Sequence, residues 1–111
     1  MNEWVGEFPA EITVCDTEGT VVEMNAGADD LFQEDGGRLL MGTNLLNCHP
    51  EPARSRLAGM LEKPLTNAYF ETENGEKRFF FQSPWYQNGE YAGFVEISFP
   101  VPETLPHFKR G

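Results

Sequence analysis

The sequence predicts an α+β domain, a five-stranded antiparallel sheet with short helices gathered on one face. Three observations carry this. A polar–apolar alternation opens at residue 11, the middle third is cut into short helical pieces, and two Asn-Gly pairs punctuate a β-rich C-terminal half. The chain of 111 residues fits one domain. Its expected parts are an N-terminal flank over 1–10, the domain over 11–100 and a Pro-containing tail over 101–111.

Each element has a local reason. Residues 11–16, Glu-Ile-Thr-Val-Cys-Asp, alternate and read as a half-buried strand. Thr17-Glu18-Gly19 is a turn, and residues 20–24 form the second strand of a hairpin. Asn25 stands where a helix cap belongs. Asp29 and Asp30 follow early in that helix, and Ala28, Leu31 and Phe32 share its apolar face. Gly36-Gly37 breaks it. Arg38 to Met41 and Thr43 to Leu46 read as single helical turns. Residues 50–62 are the clearest helix. Pro50 and Pro52 fit its start, and Ala53, Leu57, Met60 and Leu61 fall on one side. Three strands follow at 66–73, 76–86 and 90–99. They are joined by Asn74-Gly75 and Asn88-Gly89, residues that accept the positive φ angles of tight hairpin turns. One sheet face is expected to take the helices. The other is expected to carry Tyr69, Phe80, Tyr86 and Phe94.

Composition excludes several classes. The 40% hydrophobic content fits a globular core, and no apolar run approaches the ~20 residues of a membrane helix. Eight basic residues against 18 acidic give a net charge of −10, which speaks against nucleic acid or an anionic membrane as partner. The start, Met1-Asn2-Glu3-Trp4-Val5, lacks the basic and apolar regions of a signal peptide. Cys15 and Cys48 make neither a disulfide framework nor a zinc site. A cytoplasmic protein of prokaryotic type is expected.

Two stretches resemble a PAS domain. The run from Ile12 through Asp16 and Gly19 to Met24 and Asn25 is similar to the usual opening: a strand, an Asp-x-x-Gly turn, a strand, and Asn heading a helix. The run from Ser83 to Ile97 is similar to the closing hairpin. Asn47-Cys48-His49-Pro50 resembles a Cys-His-Pro element of a bacterial PAS subgroup found beside hemerythrin-like domains. The resemblance implies the sheet order 2-1-5-4-3, a small pocket between helices and sheet, and a sensory or partner-binding role. The tail Pro102-Glu-Thr-Leu-Pro106 cannot form the relay helix that often follows a PAS domain, which favours a stand-alone sensor or adaptor.

The expected pocket is lined by Val14, Met24, Phe32, Leu46, Leu57, Phe81, Trp85, Val95 and Ile97, with polar reach from Asn25, His49 and Ser83. Such a wall suits haem or another small apolar or planar ligand better than a phosphate or sugar. His49 is the candidate axial ligand for haem iron. The plainer role, serving the helix start, is preferred, and no metal site is expected. Flavin is disfavoured, because only Asn47-Cys48 matches the flavin-reactive pattern. Cys15 reads as inert. No nucleophile–base pair or phosphate loop is present, so catalysis is not expected.

The leading expectation is a non-catalytic sensory or ligand-binding module, homodimeric through the outer sheet face and acting on an unidentified signalling protein. Trp4, Val5 and Phe8 are expected to cover part of that face. The alternatives are a solid-cored interaction adaptor or, behind it, a small hollow enzyme.

Overall fold

A computed structural model describes residues 3–111. Helix α1 (Glu3–Gly6) leads into strand β1 (Glu11–Cys15), which turns back as β2 (Val21–Met24). The turn is closed by Asp16, whose Oδ1 accepts from the backbone N–H of Glu18 at 2.9 Å and of Thr20 at 3.0 Å. Helix α2 (Ala26–Leu31) follows, then 3₁₀ turns at Gln33–Asp35 and Gly37–Leu40. Helices α3 (Leu45–Cys48) and α4 (Ala53–Glu62) complete the helical span. The meander is β3 (Asn67–Glu73), β4 (Glu76–Gln87) and β5 (Glu90–Val101).

The sheet is wholly antiparallel in the order β2-β1-β5-β4-β3, as expected. The hairpin turns form as the Asn-Gly pairs require: φ is +52° at Asn74 and Asn88, and +79° and +82° at the following glycines. Strand β5 runs two residues past the expected Phe99, with Pro100 opposite Arg78 and Val101 opposite Lys77. Helix α4 begins at Ala53 rather than at Pro50. A residue that precedes a proline is disfavoured in the helical region, so Glu51, ahead of Pro52, stays outside the helix and Pro52 takes the N-cap position. Glu51 instead supplies acceptors, taking the Ser55 N–H at 2.9 Å and the Ser55 hydroxyl at 2.7 Å, and these bonds lower its pKa.

Two small apolar clusters join the helices to the sheet. Cys15, Leu61 and Phe94 form one, with Leu46 and Leu57 against it; Val21, Met24 and Ala28 form the other, with Phe32, Leu40 and Leu45 against it. Among the described residues no helix is long and apolar enough to cross a membrane.

The parity of the central strands differs from the expected one. Register pairs Cys15 with Phe94, and Phe80 with Ser98, on the helix side of the sheet. Val14 opposite Val95, and Phe81 opposite Ile97, alternate to the uncovered side. Thus Tyr69, Phe80 and Phe94, expected outside, face the helices. Tyr86 lies beyond a bulge at Trp85/Tyr86 and is 60% exposed. The uncovered side instead carries Phe70, Phe79, Phe81, Ile97 and Phe99, and Phe70 is 50% exposed. Helix α1 buries Val5, whereas Trp4 and Phe8 stay exposed and stack edge to face at 5.8 Å.

Candidate functional site

Between the helices and the sheet lies a partly open cavity of about 640 Å³. Its floor is the helix side of the sheet: Thr13 and Cys15 of β1, Phe94 and Glu96 of β5, Phe80 and Gln82 of β4. Its roof is Phe32 after α2, Leu40, Leu45 of α3, and Leu57 and Met60 of α4. Carboxylates stand around it: Glu34 and Asp35 on the helical side, Glu71 and Glu73 on β3, Glu96 on the floor. It adjoins a smaller recess of about 290 Å³ that reaches Glu76 and Arg78.

The expected pocket residues divide. Met24, Phe32, His49 and Leu57 border the cavity; Val95 lies along it on β5, with its side chain turned by alternation to the other side of the sheet. Val14, Phe81, Ser83 and Ile97 lie on the other side of the sheet by alternation. Trp85 lies beyond them at the end of β4, donating its indole N–H to the Cys15 carbonyl at 3.1 Å. It reaches across Gly93, its register partner, where φ is +139° and any Cβ would collide with that same carbonyl oxygen. Leu46 belongs to the cluster around Leu61.

Asn25 is fully buried but serves the backbone. Its Oδ1 accepts from Ile12 N at 3.0 Å and Ala28 N at 2.9 Å, and its Nδ2 donates to Val5 O at 3.1 Å and Ala10 O at 2.9 Å. It therefore caps α2 and ties it to β1 and to the N-terminal segment.

His49 is exposed and stands at the C-terminal end of α3, where its Nδ1–H donates to Leu45 O at 2.6 Å. It thus serves the end of α3 rather than the start of α4. Cys48 is exposed beside it and Cys15 is buried in the floor, both as free thiols; burial pushes the Cys15 thiol up. Cys15, expected to be inert, lies in the floor.

A polar chain crosses the floor that alternation alone would have put in solvent. Glu11 is fully buried. Its Oε1 accepts from Ser98 Oγ–H at 2.7 Å and its Oε2 from Thr13 Oγ–H at 2.8 Å. Ser98 in turn accepts from Arg78 Nε at 3.0 Å, and its carbonyl accepts from Arg78 Nη2 at 3.2 Å. Glu96 accepts from Gln82 Nε2 at 2.7 Å, and Gln82 lies 3.3 Å from the Tyr69 hydroxyl. Burial, and then the neighbouring Glu96 carboxylate, push the Glu11 carboxyl up to about 8. Burial and the same acidic surroundings push the Tyr69 phenol up to about 12. Burial and the facing Glu96 carboxylate thus both favour the neutral form of Glu11. Sequence reading missed this chain because the only signal for it was charge on a strand, which usually marks a solvated face.

No protein-family model matches this chain, and no curated protein matches it. Solved structures do. The PAS domain of BvgS from Bordetella pertussis is 20% identical, with a TM-score of 0.61 over 89% of this chain and 82% of that one. The Aer2 receptor of Vibrio cholerae, described as a dual PAS-haem oxygen sensor, is 18% identical, with a TM-score of 0.59 over 84% of this chain and 95% of that one. The VqmA dimer of Vibrio cholerae, described among LuxR-type receptors, is 13% identical, with a TM-score of 0.66 over 90% of this chain and 49% of that one. The fold is that of PAS domains.

Proposed function

We propose that the chain is a non-catalytic sensory module of signal transduction that binds a small molecule between its helices and sheet. The observation carrying this reading is the cavity of about 640 Å³, within the usual range for ligand pockets, roughly 300–1,000 Å³. Its walls are mainly apolar, with Gln82, Thr13 and Glu96 as polar points on a rigid sheet. The PAS fold supports the role by analogy alone. Two free thiols accord with a reducing, cytoplasmic setting. A native mass spectrum of freshly purified protein, with metabolite extracts screened by thermal shift, tests the reading. A reproducible adduct, or a raised melting temperature that Leu57→Trp abolishes by filling the cavity, is the expected result. A bare mass and an unmoved melting curve would leave the interaction-adaptor reading in its place.

Haem does not fit this cavity well. Its two propionates call for cationic partners, whereas the charged groups around the cavity are carboxylates. Arg78, in the adjoining recess, is already bonded to Ser98. His49 does hold its Nδ1 on a carbonyl, the usual orienting bond of a ligand histidine. That bond also completes the plain helix-end role.

The same proposal makes the protein a homodimer through the uncovered sheet face, which then acts on a signalling partner. Register lines Ile97, Phe81 and Ala68 in one row, and Phe99, Phe79 and Phe70 in the next, while Ile12, which continues the first row on β1, is already buried. This continuous apolar surface supports an interface better than solvent exposure. Phe81→Glu should convert a dimer at micromolar concentration to a monomer by light scattering. A wild-type monomer at that concentration would remove the dimer from the proposal.

A further inference from the structure

We propose that the outer edge of β3 is a self-association surface, on which β3 of a second copy pairs antiparallel about Phe70 and joins two sheets into one. The two edges of the sheet are unlike. At the β2 edge the chain closes on itself: the Val21 N–H donates to Thr43 O at 2.9 Å, the Val21 carbonyl accepts from Gly42 N at 2.8 Å, and Thr20 bridges to Asn44. At the other edge β3 is bare. It runs for 7 residues and pairs with β4 without a bulge. It contains no proline and no lysine, residues that commonly guard an edge against pairing.

The Asn74-Gly75 turn fixes which backbone groups are free. Both its φ angles are positive, the mark of a two-residue hairpin turn, so the flanking pair Glu73 and Glu76 exchanges both backbone hydrogen bonds. Alternation then turns the N–H and C=O of Glu71, Tyr69 and Asn67 toward β4, and those of Thr72, Phe70 and Ala68 away from it. Among the described residues no other part of the chain reaches these outward groups. All three residues are exposed, and their side chains lie on the uncovered side of the sheet.

An antiparallel copy centred on Phe70 sets Phe70 opposite Phe70 and Ala68 opposite Thr72. These are hydrogen-bonded pairs, so every outward group of β3 finds a partner. The same register sets Glu71 opposite Tyr69 and Glu73 opposite Asn67, and no carboxylate meets another. Glu71 also keeps Arg78 as its register partner on β4. Centring on Glu71 would set two carboxylates face to face, and centring on Tyr69 would leave Thr72 beyond the end of the facing strand. In the joined sheet both cavities lie on one side and both apolar faces on the other. This contact goes beyond the face pairing above, because it uses backbone groups in the plane of the sheet. It spans few residues and belongs among weak interfaces, so a covalent trap is the suitable test.

The chain carries Cys48→Ser throughout, since Cys48 is the exposed thiol. Phe70→Cys, Thr72→Cys and Ala68→Cys are each oxidised with copper phenanthroline at about 0.5 mM protein, a concentration suited to weak contacts. Phe70→Cys should link to itself, because facing Cα atoms stand about 5.5 Å apart, within disulfide reach. Thr72→Cys alone should not, its two copies being about 14 Å apart. Mixed with Ala68→Cys it should give the mixed disulfide. That mixture keeps Phe70 in place, so the test survives a poorly folded Phe70→Cys. Both expected links should form about tenfold faster than the Thr72→Cys self-link. Adding Phe81→Glu, which opposes face pairing, should leave them, since stacked sheets stand about 10 Å apart, beyond disulfide reach. Equal rates at all positions, no link at any, or loss of the links with Phe81→Glu would overturn the edge pairing, while the face pairing answers to its own light-scattering result.

Discussion

Glu11 should make the stability of this protein fall as pH rises through neutrality. In the unfolded chain its carboxyl ionises near 4.5; in the fold, burial and Glu96 push it up to about 8. Between those values the folded state keeps a proton that the unfolded state has released. The stabilisation is therefore complete below about pH 4.5, declines through the window, and is gone once pH passes about 8. The full displacement sets a ceiling of about 5 kcal/mol, and solvent reaching Glu96 through the open cavity should bring the observed loss to about 2–3 kcal/mol. That is a large share of the roughly 5–15 kcal/mol that holds an ordinary domain together.

The perturbation is Glu11→Gln, which keeps the shape, cannot ionise, and presents an N–H to Glu96 where the acid presents an O–H. Urea unfolding followed by tryptophan fluorescence should be run from pH 5 to pH 8.5. Wild type should lose stability across the series; the variant should be flatter by about 2–3 kcal/mol and the more stable of the two at the alkaline end. Subtracting the two curves removes the titrating groups that do not face Glu11. Parallel curves would refute the argument, because they would show that Glu11 ionises alike in folded and unfolded chains. Glu96→Gln removes the second cause of the shift and should narrow the window.

Two further outcomes follow from single side chains. Asn25→Ala should destabilise by about 2–4 kcal/mol in chemical denaturation, since it strands two buried N–H groups and two carbonyls. Asn25→Asp should still cap α2 but lose the donations to Val5 and Ala10. Gly93→Ala should cost about 3 kcal/mol or more, read as a fall in thermal midpoint, because φ there is +139° and the new methyl would strike the Cys15 carbonyl. A near-normal midpoint would mean that β5 can slide past β1.

The order of elements was legible in the sequence because it is written locally. Asp16, Asn25 and the two Asn-Gly pairs each act on backbone groups within a few residues, so their chemistry can be read without the fold. The α4 stripe was legible for the same reason, although its start slipped from Pro50 to Ala53. The cavity was legible only in part. Met24, Phe32, Leu57 and His49 come from elements whose place is set by their neighbours. On β4 and β5 both sides of the strand are apolar enough to pass for a core. Phe79, Phe81, Val95 and Ile97 make one convincing inner face; Phe80 and Phe94 make another. Strand period alone cannot choose between them.

What decides the parity is polar. One side of β1, β4 and β5 bears Glu11, Arg78, Gln82, Glu96 and Ser98, and the ordinary reading gives such a side to water. In this fold it is the helix side, because each of those groups finds a partner there. Ser98 serves Glu11 and Arg78, Gln82 serves Glu96, and Thr13 serves the second oxygen of Glu11. A solid core would have to dehydrate all five, at a penalty their mutual bonds could not offset in full. A hollow one leaves Glu96 and Gln82 at the edge of an open space while Glu11 and Ser98 are sealed beneath. The apolar residues that a solid core would have used are then left on the far side of the sheet, where they need cover. The cavity and the uncovered apolar face are thus two results of one inversion. The ligand binding and the pairing proposed above therefore draw on the same distribution of residues along β4 and β5.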